Sequence, residues 1–85
     1  MSQTYTYMGK IKAVDKKSQT VTVRTDNKKH TIQITPATRI WLDRSKRRKE
    51  TLNGTFKDCR SGRRVEIKYA DAEKQVAEWI KIEKR

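Results

Sequence analysis

The sequence predicts one small all-β domain, a closed barrel of five strands that spans residues 1–85. Apolar and polar residues alternate with a period of two over several short segments, which is the pattern of half-buried strands. Turn-forming residues separate these segments, and none of the segments has the apolar period of an amphipathic helix. A chain of 85 residues has room for one modest core, and closing the sheet into a barrel removes its exposed edges.

The first strand is predicted over Tyr5–Val14. The interior face is expected to carry every second residue, namely Tyr7, Gly9, Ile11 and Ala13. A glycine inside a strand marks a bulge or a tight bend, so Gly9 is expected where the strand turns a corner of the barrel.

Two further strands complete a meander with the first. The second is predicted over Thr20–Thr25, with Val21 and Val23 facing inward. A short hairpin turn at residues 26–28 leads into the third strand, Lys29–Ile34, whose inner face carries His30, Ile32 and Ile34.

The middle of the chain is less regular. Pro36 ends the third strand, and a short extended piece follows at Ile40–Leu42. Residues 44–49 contain no apolar side chain, which predicts an exposed loop. Residues 55–59 are expected to form one helical turn that places Phe56 and Cys59 on the same side, because they are three positions apart.

The last two strands are predicted at Arg64–Tyr69 and Gln75–Ile82. The former alternates, with Val65, Ile67 and Tyr69 facing inward. The latter changes phase near Ala77, so either a bulge lies there or Trp79 packs on the outside of the barrel. Five strands with short turns are typical of an OB-like barrel.

Several segments carry a resemblance that extends from Tyr7 to Ile82, namely 9–15, 20–23, 31–40, 56–59 and 76–80. Their order resembles a bacterial family of small OB-like barrel domains of undefined function. It is also similar to the periplasmic copper-efflux chaperones, five-stranded barrels that hold copper(I) with methionines, a histidine and a tryptophan on strands two and three. Here those strands offer only His30, so the resemblance implies the fold and an exported location, but no copper site.

The charge balance indicates a polyanionic partner. The chain has 22 Lys and Arg against 10 Asp and Glu, a net charge of +12, while only 33% of its residues are hydrophobic. Such a charge favours association with nucleic acid or another polyanion. A second interpretation is that the charge serves solubility or the binding of an acidic protein, as in an accessory barrel of the cell envelope.

The candidate site for single-stranded nucleic acid combines the outer faces of the first strands, the basic loop and a later basic cluster. Lys and Arg neutralise phosphates, and Trp41 could stack on a base or cap the barrel end as a structural residue. The candidate residues are Lys10, Lys12, Arg24, Trp41, Arg44, Lys46, Arg47, Arg48, Lys49, Arg63 and Arg64.

The sequence offers no constellation for catalysis, a metal or a cofactor, which predicts a binding module and not an enzyme. A single cysteine, Cys59, excludes an internal disulfide and a cysteine-cluster zinc site. Glu66 and Glu78 are expected to pair with lysines on neighbouring strands, and the aspartates at 15, 26, 43, 58 and 71 fall in predicted turns.

Neither a membrane span nor a signal peptide is visible, which predicts a cytoplasmic protein as written, or an exported one if a leader has been removed.

Overall fold

The computed structural model describes residues 6–71 and 73–84, with the side chain of Arg47 excluded. Its strands are β1 (Thr6–Asp15), β2 (Thr20–Arg24), β3 (Lys29–Gln33), β4 (Arg39–Asp43), β5 (Leu52–Asn53), β6 (Arg64–Asp71) and β7 (Val76–Glu83). Single turns of 3₁₀ helix lie at Ser45–Arg47 and Phe56–Asp58. The predicted start of the first strand, Tyr5, lies outside the described residues.

The strands form one sheet in the order β3-β2-β1-β6-β7-β4-β5, which closes because β3 also pairs with β7. Gln33 of β3 lies beside Val76 in a parallel pair, and β4 then runs parallel to the rest of β7. Segments β3 and β4 are therefore two halves of one barrel strand, interrupted at Pro36, and the five-stranded all-β barrel predicted from the sequence is confirmed.

The interruption is bridged by a side chain. Thr38 donates a hydrogen bond from its Oγ1 atom to the backbone oxygen of Ala77 at 2.7 Å. This bond replaces a backbone ladder bond at the point where the third barrel strand is broken. We call the pairing of β3 and β4 with β7, which closes the barrel, the seam. The Thr38 bond links the two sides of the seam at the interruption.

The core consists mainly of β-branched aliphatic side chains from all the barrel strands. Its members are at most 5% exposed: Ile11, Val21, Val23, Ile32, Ile34, Leu42, Cys59, Val65, Ile67, Ala77, Ile80 and Ile82. Phe56 packs against this cluster beside Cys59, as the predicted helical turn requires. No polar or charged residue is buried in the described part of the chain.

Strand β1 contains a bulge that the sequence pattern places wrongly. Its pairing with β2 shifts between Ile11 and Ala13, so Lys12 is the extra residue. The prediction that Ala13 faces inward is wrong, because the bulge reverses the alternation and brings Val14 against the core instead. Gly9 is not the bulge residue. A Cβ atom at this position would lie 2.6 Å from both the Arg24 backbone oxygen and a Val23 methyl, so a residue without a Cβ atom permits the close approach of β1 and β2.

Strand β7 contains a second bulge. The sequence predicted either a bulge near Ala77 or a Trp79 on the outside of the barrel, and the structure has both. Tyr69 of β6 lies opposite Ala77, while Lys68 lies opposite Trp79, so Glu78 is the extra residue. Ala77 is consequently buried, and Trp79 lies half-buried on the outer face. The predicted pairing of Glu78 with a lysine is confirmed by a salt bridge to Lys68 at 3.0 Å.

Candidate nucleic-acid interface

A row of three positive side chains crosses the outer face of the barrel. Lys10 of β1 lies opposite Arg24 of β2 on one side and opposite Arg64 of β6 on the other. Adjacent strands are about 4.8 Å apart, so the three residues are immediate neighbours. Like charges placed directly opposite each other on a sheet are destabilising, and an anion bound across the row would relieve this repulsion.

Three shallow depressions meet at this row, and Arg64 lines all of them. Lys10 lines two of them, and so does Met8, an exposed residue of β1. We call the joined surface the basic groove. It is lined by eight cationic residues, Lys10, Lys12, Arg24, Lys46, Arg63, Arg64, Lys81 and Lys84, and by four acidic ones, Asp26, Asp43, Glu66 and Glu83.

Most of the positive charge in the basic groove is available to a ligand. Among the residues that the structure describes, Lys10, Lys12, Arg24 and Arg64 have no salt-bridge partner. Lys46 differs, because its ammonium group pairs with the carboxylate of Glu83. Arg63 donates from Nη1 to the backbone oxygen of Asp58 at 3.0 Å, which fixes its side chain without neutralising it.

The structure brings six of the candidate residues together, while Trp41, Arg44, Arg48 and Lys49 do not line the groove. Lys10, Lys12, Arg24, Lys46, Arg63 and Arg64 line it. Of the basic loop, only Lys46 does so within the described residues. Arg44 donates from Nε to the Glu50 backbone oxygen, and Arg48 and Lys49 are exposed beyond the 3₁₀ turn. The candidate Arg47 has a described backbone in that turn, but its side chain lies outside the described residues.

Trp41 lies on the outer face of β4, at the border of the basic groove. It is opposite Lys81 of β7, a residue that lines the groove. Its ring lies 5.6 Å from that of Trp79, centroid to centroid, with the planes tilted by 36°. The ammonium group of Lys81 is 5.9 Å from the Trp79 ring centroid, within the range of a cation–π contact.

A second aromatic cluster lies on the inner face, at one end of the barrel. The Tyr7 ring is 4.8 Å from His30 and 5.3 Å from Tyr69, and its hydroxyl donates a hydrogen bond to the Tyr69 hydroxyl. Burial, and secondly this hydrogen bond, raise the pKa of Tyr7 well above its usual value. Tyr7 therefore contributes an uncharged ring and hydroxyl to the packing and not a tyrosinate.

Nowhere in residues 6–71 and 73–84 do three or more His, Cys, Asp or Glu side chains group as metal ligands. Burial raises the pKa of the Cys59 thiol to about 11, which keeps it protonated and unreactive at neutral pH. Four of the predicted turn aspartates accept backbone N–H groups, namely Asp15, Asp43, Asp58 and Asp71.

Sequence patterns missed two residues of the basic groove, Lys81 and Lys84. They also missed Arg39 and Asn53, which line a separate depression beside Trp41. Strand alternation places Arg39 and Lys81 on the outside, but their proximity to Trp41 depends on the parallel pairing of β4 with β7. Asn53 belongs to β5, a strand of two residues and thus too short to show a period. The sequence did contain a signal for Arg39 and Lys81. Each is a basic residue two positions from a tryptophan, so strand alternation places it on the same face as Trp41 or Trp79.

Fold and surface together define the class: a small five-stranded OB-like barrel with a basic outer face. The chain matches no family model, and no curated protein matches it. Among solved structures, the crystal structure of the silver(I) form of CusF, a copper-efflux chaperone, is similar over 95% of this chain and 99% of that chain. The TM-score is 0.65 at 18% sequence identity, which confirms the predicted resemblance to these chaperone barrels at the level of the fold.

No helix among the described residues is long and apolar enough to span a membrane.

Proposed function

We propose that this protein is a non-enzymatic module that binds nucleic acid through the basic groove, by contact with phosphate groups. The observation that supports the proposal is the row Arg24–Lys10–Arg64, at which the three depressions meet. A row of adjacent, unneutralised cations costs stability in the free protein, and a phosphate backbone supplies the matching negative charges.

The salt dependence of binding follows from the number of available cations. If Lys10, Lys12, Arg24 and Arg64 each neutralise one phosphate of a single strand, the logarithm of the association constant falls with the logarithm of salt concentration with a slope of about −3. An acidic protein is the competing partner. It carries no regularly spaced phosphates and is not expected to reproduce this dependence.

The test compares two double variants with the same change in net charge. Lys10→Gln/Arg64→Gln removes two members of the row, whereas Lys16→Gln/Lys74→Gln removes two exposed lysines from the turns after β1 and β6. These turns lie at the other end of the barrel, since Gln75 and Gln19 both bond to the end of β3 and Arg64 begins β6.

Binding is measured by fluorescence anisotropy of a labelled oligonucleotide over a range of salt concentrations. We expect the row variant to halve the salt slope and to weaken binding at low salt by about 30-fold, since each of the two lost contacts is worth about 1 kcal/mol. The control variant is expected to bind within about twofold of wild type, as exposed charges far from the ligand are screened. Absence of binding at low salt, equal loss in both variants, or polyglutamate competing as well as nucleic acid would each refute the proposal.

A further inference from the structure

We propose that Trp41, Asn53 and Arg39 form a subsite for one unpaired nucleobase and its phosphate, so that the ligand is single-stranded. This inference rests on the proposed function and identifies the form of nucleic acid that the groove accepts. The subsite is a separate depression on the outer face, lined by Arg39, Ile40, Trp41, Asn53 and Gly54.

The pairing of β4 with β5 positions the side chains of the subsite. Trp41 lies directly opposite Asn53 in this antiparallel pair, so both side chains are on the outer face. Arg39 is two residues before Trp41 on the same strand and shares that face. The ring of Trp41 therefore has Trp79 of β7 on one side, while the depression lies toward β5 on the other.

Each of the three side chains supplies a different contact for a nucleotide. The indole ring of Trp41 offers a stacking surface, which accepts any base because every base has a π-face. The amide of Asn53 contains both a donor and an acceptor, as does the edge of an unpaired base. The guanidinium of Arg39 suits a phosphate, and within the described residues neither Arg39 nor Asn53 uses its side chain in a hydrogen bond or salt bridge.

The subsite adjoins the basic groove through a shared neighbour. Lys81 lines the groove and lies opposite Trp41 on the adjacent strand, about 4.8 Å away in the sheet. A strand whose phosphates follow the groove toward Lys81 thus reaches Trp41 without a gap. A duplex cannot use this subsite, because its bases are stacked and paired inside the helix and present only backbone to such a face.

The experiment uses three probes of equal length: a single-stranded oligonucleotide, the same strand with its bases replaced by abasic sites, and a duplex. Affinities are measured at low salt for wild type, Trp41→Leu, Trp41→Phe and Asn53→Ala. The abasic strand serves as an internal control, because its binding depends on the basic groove and not on stacking.

We expect wild type to bind the base-bearing strand about 5- to 150-fold more tightly than the abasic one, the range that one stacked base provides. Trp41→Leu should abolish this preference and leave abasic binding unchanged, and Trp41→Phe should restore most of it. Asn53→Ala should reduce the preference several-fold.

The outcomes separate the two proposals. Equal affinity of wild type for all three probes, or an undiminished preference in Trp41→Leu, refutes the subsite while the proposed function stands. If none of the probes binds at low salt, the proposed function itself is refuted. A Trp41→Leu variant that loses abasic binding as well shows that the residue supports the fold and not the base, and this also overturns the inference.

Discussion

Replacement of Gly9 by alanine tests the close approach of β1 to β2. A Cβ atom at this position would lie 2.6 Å from the Arg24 backbone oxygen and 2.6 Å from Cγ1 of Val23. Both contacts are well inside van der Waals separation, and the oxygen belongs to a backbone that is held in the β1–β2 ladder. Because the Arg24 backbone oxygen cannot rotate away from the new methyl group, β1 and β2 would have to separate.

The expected cost can be worked from opposing effects. Overpacking of this kind costs about 1–3 kcal/mol. Alanine recovers about 0.4–1 kcal/mol, because it restricts the unfolded chain more than glycine does. With midpoints of about 2 and 0.7 kcal/mol for these two effects, the net loss in the free energy of unfolding is about 1.3 kcal/mol, which for a domain of this size lowers Tm by roughly 5–10 °C.

Urea denaturation, followed by both tryptophan fluorescence and far-UV circular dichroism, measures the effect. We expect a lower midpoint and an unchanged m-value for Gly9→Ala. Gly62→Ala is the matched control: Gly62 has φ +94° and nothing within 4 Å of a Cβ, so any loss there reflects backbone strain and not a clash. A Gly9→Ala variant that is as stable as wild type, or more stable, would falsify the close approach of β1 and β2.

Two further outcomes follow from individual side chains. Because burial raises the pKa of the Cys59 thiol to about 11, a thiol reagent at pH 8 is expected to label the folded protein very slowly and the urea-unfolded protein quickly; equal rates would contradict the burial. The backbone N–H of Ser45 holds the pKa of Asp43 below its ordinary value of 3.8, so Asp43 stabilises the fold above that pH and this contribution is lost as the pH falls through the lowered pKa. Asp43→Asn should therefore flatten the acid limb of the stability–pH curve slightly, because solvent screens this carboxylate, and an unchanged limb would argue against the hydrogen bond.

The barrel could be predicted because strand alternation is a local property. Val21, Val23, Val65 and Ile67 are buried where the period of two places them. The bulges at Lys12 and Glu78 follow no such rule, since these residues are not of a type that marks a bulge. The phase change around Ala77 was visible only because apolar residues lie on both parities there, whereas Ala13 is small enough to fit either face.

The surface could be predicted in part. The alternation along a strand shows which residues point outward, but it does not show which residues of other strands lie beside them. Lys10 and Arg64 were both expected outside, yet their juxtaposition depends on the pairing of β1 with β6, which are 54 positions apart in sequence at that point. The basic loop was expected to join this cluster as a block. Its geometry differs residue by residue, because a 3₁₀ turn directs Lys46 toward Glu83 while Arg44 turns back to Glu50.

The interrupted third barrel strand also has a kinetic consequence. The bonds that close the barrel, such as that of Thr38 to Ala77, join residues 39 positions apart, so they form after a large loop has been closed. The meander β1–β2–β3 and the hairpin β6–β7 can therefore assemble first, and the two long-range pairings, β1 with β6 and β3–β4 with β7, follow. Because β3 meets β7 in one residue pair only, the seam is the pairing at which we expect the barrel to open first. Since β1 lies diametrically across the ring from this seam, transient opening there leaves Lys10 and its neighbours in place.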